Sequence, residues 1–191
     1  MTNIKSKYQI MIGLILALLM LATRFQHFGS TLSLPDASLA IFFIAGIYLR
    51  PALFFGLFLA EAGIIDYVAT ANGADGWCMS PAYLFLIPTY ACLWLAGRWY
   101  ARSHRNTWHT LMPLATALLL STGMAFLISN ASFYWLSGRF PDMSWTEYAA
   151  RVAQYFPPYL LSACIYVAFA AALHALATVL ITRHAHGTST P

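Results

Sequence analysis

Charge is what this chain has least of. Only 8% of its 191 residues are Asp, Glu, Lys or Arg, against about 25% in an ordinary soluble domain. Apolar and aromatic residues make up 60%. A soluble domain of this length has a large exposed shell, and so many apolar residues cannot all hide from water. The shortage of charge excludes a soluble enzyme, a disordered chain and a nucleic-acid module. It indicates an all-α integral membrane protein. Cysteine is scarce as well: Cys78, Cys92 and Cys164 are the three present. They make no disulfide framework and match no zinc spacing. Gly-x-Ser-x-Gly, His-Glu-x-x-His and Cys-x-x-Cys are missing, which removes the usual signatures of hydrolases and dithiol oxidoreductases. No Walker-type Gly-x-x-x-x-Gly-Lys is present, so the chain has no ATP site of that kind. Repeats and low-complexity segments are lacking too.

Long apolar runs are what the sequence does have, and about 20 such residues span a bilayer as a helix. The runs predict six transmembrane helices in a single domain over 1–191. The first covers about 8–23; without a convincing cleavage site after it, it reads as a retained helix. The second runs from about 38 to 49 and stops at Arg50-Pro51. The third starts at Pro51, since proline suits a first helical turn, and reaches about 70. The fourth covers about 81–100, with a kink expected at Pro88. The fifth covers 111–136. The polar stretch 137–150, with Trp145 and Tyr148, reads as an interfacial loop. The sixth covers about 155–183, with Pro157-Pro158 near its start.

Basic residues set the orientation. Lys5, Lys7, Arg50, Arg98, Arg102, Arg105 and Arg183 fall on one side of six spans. The other side is charge-balanced. Both termini are therefore expected in the cytoplasm, with loops 24–37, 70–80 and 137–154 outside. Those outer loops hold the unusual residues, as expected of a receptor for something captured from outside. Cys78 sits in Asp75-Gly-Trp-Cys-Met-Ser-Pro81. A cysteine can be a small apolar filler, and Cys92 and Cys164 read that way. A loop cysteine facing an oxidising compartment is exposed to oxidation unless protected or used. Its thiolate is a soft ligand for a polarisable metal centre.

Asp66 lies roughly 22 Å across the membrane from Pro51, at 1.5 Å per residue. It is either a solvated helix-end carboxylate or an acceptor in an outer pocket. Arg151 is either a headgroup arginine or a clamp for an amide, phosphate or carboxylate, or a salt-bridge partner of Asp66. Tyr83 is either an interfacial belt residue or part of the same pocket. Glu61 lies near mid-membrane, where a lone carboxylate is costly; a contact with His174, at similar depth, is expected. Gly13 and Ala17 form a small-x-x-x-small pair that allows close helix contact.

Taken together, six helices and Leu34-Pro-Asp-Ala-Ser-Leu-Ala-Ile-Phe-Phe-Ile-Ala-Gly46 followed by Arg50-Pro51 resemble the substrate-binding S-components of energy-coupling-factor transporters. An outer-loop cysteine followed by tyrosine and preceded by a helix-three aspartate resembles their cobalamin-specific BtuM type. The resemblance covers essentially the whole chain. It implies an S-component-like bundle in a bacterial inner membrane that binds cobalamin from outside and takes it up. By the same resemblance, Cys78 is the axial ligand of the cobalt. Asp66, Tyr83 and Arg151 meet the corrin amides or nucleotide loop, and Trp77, Met79, Phe25, Phe28 and Tyr155 line the site. Donation from the Cys78 thiolate implies a cysteine-dependent decyanation of cyanocobalamin. The Gly13/Ala17 face resembles the one through which S-components meet the scaffold of an ATPase module. The chain is thus expected to be primarily a transporter, with lipid, cobalamin and such a module as partners and no nucleic acid. Three alternatives stay open: an S-component-like transporter for another vitamin or a metal ion, a small thiol-dependent membrane enzyme, and a membrane haem protein. His27 and His174 lie at opposite depths, which argues against the last.

Overall fold

The computed structural model describes residues 6–26, 34–72, 80–104 and 107–187. They form six α-helices: α1 (Ser6–Gln26), α2 (Ser38–Tyr48), α3 (Leu53–Ala71), α4 (Leu86–Ser103), α5 (Leu111–Leu136) and α6 (Trp145–Gly187). Short 3-10 helices, Pro81–Phe85 and Trp108–Thr110, lead into α4 and α5. No strand occurs among the described residues.

The expected six spans become six helices, of which four are long and apolar enough to cross a membrane: Ser6–Arg24, Leu53–Ala71, Leu111–Leu136 and Trp145–Leu180. The two exceptions have different causes. α2 has only 11 residues, about 16 Å at 1.5 Å per residue, against a hydrocarbon core about 30 Å thick. α4 has 18 residues, but Arg98, Arg102 and its Trp and Tyr residues dilute its hydropathy. These two helices are also the pair that packs most closely. Ser38 to Gly46 of α2 are all buried, as expected of a helix apolar on every side. Their contact depends on two glycines. A Cβ on Gly46 would overlap the Trp94 carbonyl oxygen, and a Cβ on Gly97 that of Phe43. Each backbone therefore sits where the other's side chain would be. Around them lies an aromatic core. Phe42 stacks on Tyr90 with ring centroids 4.1 Å apart and meets Phe55 edge-on at 5.6 Å. Phe55 in turn meets Trp94 at 5.7 Å.

Gly13 finds a close helix contact, and two further expectations change. Gly13 is buried, and a Cβ on it would lie 2.7 Å from Cε1 of Phe54. Ala17 is half-buried against the core. Gly13 thus makes its close contact inside the bundle, against α3. The outward face of α1 carries Ile10, Leu14, Leu18 and Leu21. Pro88 falls in the first turn of α4, where its missing N–H breaks no intrahelical bond; the expected kink is a helix start. α6 begins at Trp145, well before the expected 155. Ser144 and Glu147 form a capping box there. Ser144 Oγ accepts the Glu147 N–H at 3.2 Å, and Glu147 Oε2 accepts the Ser144 N–H at 3.0 Å. Pro157 and Pro158 lie inside the helix.

Candidate functional site

A buried arginine organises one end of the bundle. Arg24 stands in the last turn of α1 and is 9% exposed, while Asp66 on α3 is 2% exposed. The guanidinium grips the carboxylate with two parallel bonds, Nε to Oδ1 at 2.7 Å and Nη2 to Oδ2 at 2.6 Å. Such forked pairs are strong and fix geometry. Nη1 donates to Ser38 Oγ at 2.9 Å and Tyr90 OH at 2.8 Å, and lies 3.5 Å from Asp36 Oδ2. The Tyr83 hydroxyl donates to Asp66 Oδ2 at 3.0 Å. One cation thus joins α1, α2, α3 and α4.

The short segment before α2 is fastened to this network. Asp36 Oδ1 accepts both the N–H and the O–H of Ser38, at 3.0 and 2.7 Å. Thr23 Oγ1 accepts the Ala37 N–H at 3.3 Å. From α6, Ser162 donates to the Asp36 carbonyl at 2.7 Å and Tyr166 to that of Pro35 at 2.8 Å. Two acidic side chains and one basic one share this cluster, so Arg24 is neutralised within the protein.

Beside it opens a pocket of about 450 Å³, within the usual range for small-molecule sites. Arg24, Asp66 and Tyr83 form one wall, Asn130 and Tyr134 of α5 another, and Arg151, Tyr155 and Tyr159 of α6 a third. Ser80 lies at its edge. Arg151 packs against aromatic faces and also interacts electrostatically with Glu147, one helical turn earlier. Its guanidinium carbon lies 5.4 Å from the Tyr134 ring centre and 5.1 Å from that of Phe140, within cation–π range. Asn130 Oδ1 is buried without a hydrogen-bond partner.

Asp66, Tyr83, Arg151 and Tyr155 therefore line one pocket. The salt bridge considered between Asp66 and Arg151 is not formed, because Arg24 and Tyr83 occupy the Asp66 carboxylate. The contact expected between Glu61 and His174 shows no hydrogen bond or ion pair; His174 Nδ1 lies 3.1 Å from the Tyr48 hydroxyl instead. Phe28, Trp77, Cys78, Met79 and the Phe25 side chain lie outside the described residues. Among the described residues, no three His, Cys, Asp or Glu side chains are grouped to hold a metal ion. Sequence reasoning singled out Arg24 and Asn130 as unusual outer residues but missed Arg24 as the partner of Asp66, and missed Ser38 and Tyr90 altogether. The available signal was Arg24 itself, a charge at the end of an apolar span, which calls for a partner.

No family model matches the sequence, and no curated protein matches it significantly.

Proposed function

We propose that the chain is a membrane-embedded binding and uptake protein for cobalamin, received in the pocket beside Arg24 and Asp66 from the outer face, with both termini in the cytoplasm. One observation carries the reading. Asp66, Tyr83 and Arg151, from three separate segments, line a single pocket, with Ser80 at its edge. Cys78 precedes Ser80 by two residues, a reach of at most about 7 Å of chain. Arg151 offers guanidinium donors to a ligand phosphate or amide, and the tyrosines offer flat apolar faces. Asp66 acts chiefly by holding Tyr83, since its oxygens are already bonded. The Cys78 thiolate supplies a soft axial ligand to cobalt. In cyanocobalamin the cyanide opposite it leaves as cyanide ion with its electron pair, water fills the position, and the cobalt keeps its oxidation state. Uptake driven by an ATPase module would use the exposed apolar rows of the bundle, because Gly13 is already packed.

The pocket volume favours a second reading. A corrinoid is larger than about 450 Å³, so only one edge of it enters the pocket; a smaller vitamin fits whole. Purified protein is to be incubated with cyanocobalamin and desalted. Near-stoichiometric retention, weakened by Arg151→Gln, supports the cobalamin reading. Retention of riboflavin or thiamine but not of cobalamin replaces it with the second.

A further inference from the structure

A second cavity, of about 510 Å³, lies at the other end of α2. α2 starts at Ser38 in the Arg24 network and ends at Tyr48 in this cavity's wall, ten residues or about 15 Å further on. The rest of the wall comes from the end of α4, the start of α5 and the second half of α6. Most of it is aliphatic, from residues such as Ile44, Leu114 and Val167. No Asp, Glu, Lys or Arg is among the described residues lining it.

Its polar part comprises Thr107, Thr110 and Thr178 and a pair of tyrosine–histidine couples. Tyr48 OH lies 3.1 Å from His174 Nδ1, and Tyr100 OH lies 2.8 Å from His104 Nδ1. The two imidazoles meet edge to face, with ring centres 5.5 Å apart. These contacts fix the His174 ring, yet its Nε2 is buried with no hydrogen-bond partner. A buried polar atom left without a partner costs about 1–3 kcal/mol, and native structures hold few of them. His174 itself lines a cavity large enough for a small molecule.

We propose that this cavity binds an uncharged, largely apolar small molecule carrying a hydroxyl group, which completes the hydrogen bonding of His174. The aliphatic wall selects the apolar body. Among the described lining residues no charged side chain would pair with an ionised ligand, and a buried unpaired charge is expensive. A hydroxyl suits either imidazole tautomer. If Tyr48 donates to Nδ1, Nε2 carries the proton and the ligand oxygen accepts it. If Nδ1 carries the proton, Nε2 accepts from the ligand O–H. The site is separate from the outer pocket and does not depend on what that pocket binds.

The test uses the full-length protein in lipid nanodiscs, with 2-naphthol as probe and 2-methylnaphthalene as its hydroxyl-free analogue. Empty nanodiscs give the partition into lipid. Saturable 2-naphthol binding above that baseline is expected, roughly two- to tenfold tighter than the analogue, the range of one neutral hydrogen bond. Ala171→Phe, which fills the cavity, is expected to abolish it, and His174→Leu to make the two probes bind alike. Unchanged thermal unfolding shows that each variant is folded; Tyr48→Phe is the milder substitute should His174→Leu fail. Binding that does not saturate, or that survives in Ala171→Phe, overturns the site. Equal affinity of both probes for the unaltered protein overturns the role of His174.

Discussion

Replacing Arg24 with methionine removes the cation but keeps an unbranched side chain of similar length in the buried position. Asp66 then loses the bonds at 2.7 and 2.6 Å and keeps only the one from Tyr83 at 3.0 Å. Hydrogen bonds to charged groups are worth about 1.5–3 kcal/mol each. Breaking a buried pair from one side costs about 3–5 kcal/mol, because the other charge is stranded. Ser38 retains Asp36 as an acceptor, so little is added there. We therefore expect Arg24→Met to lose about 3–5 kcal/mol. The double variant Arg24→Met/Asp66→Asn carries no stranded carboxylate at 66 and is expected to regain about 2 kcal/mol, as a coupled pair does. Reversible unfolding in mixed detergent–SDS micelles, run on both single variants and the double, gives the coupling energy directly. A coupling within about 0.5 kcal/mol of zero, the scatter of independent sites, would refute the claim that this pair ties the helices together.

Other consequences are simpler. Gly46→Ala and Gly97→Ala each place a methyl on a neighbouring carbonyl oxygen and should cost about 1–3 kcal/mol or more through helix displacement. Gly13→Ala, which meets only the Phe54 side chain, should cost less in the same unfolding assay; the opposite order would contradict the packing described. Ser144→Ala should cost about 1 kcal/mol of local stability, read as faster amide hydrogen exchange in the first turn of α6. Unchanged exchange there would remove the cap.

Much of the helical plan is legible in the sequence, and the departures have physical causes. α5 matches its apolar run, and α2 stops at Arg50-Pro51 as those residues dictate. The start of α6 was obscured because Trp145, Glu147 and Arg151 look interfacial while Pro157-Pro158 look like a beginning. The Ser144-x-x-Glu147 box was the better signal, since it satisfies the free N–H groups that every helix start must satisfy. The count of spans was overestimated because an apolar run says nothing of what surrounds it. α2 is short and tolerable in a membrane protein because its neighbours cover it. At the site, the residue types were visible and the pairing was not. Arg24 and Asp66 are 42 positions apart, and only packing of α1 against α3 decides that Arg24, rather than Arg151, meets the aspartate. Gly13 was legible as a close-contact residue, but its partner, Phe54 of the same chain, was not.

The central claim is that the outer pocket receives a corrinoid through Cys78. The most direct measurement is the absorbance spectrum of the purified protein after incubation with cyanocobalamin and desalting, beside Cys78→Ala. A retained and shifted corrin spectrum that reverts in the variant is the predicted result. A spectrum that is absent, or identical in both proteins, contradicts the assignment of Cys78 as the cobalt ligand.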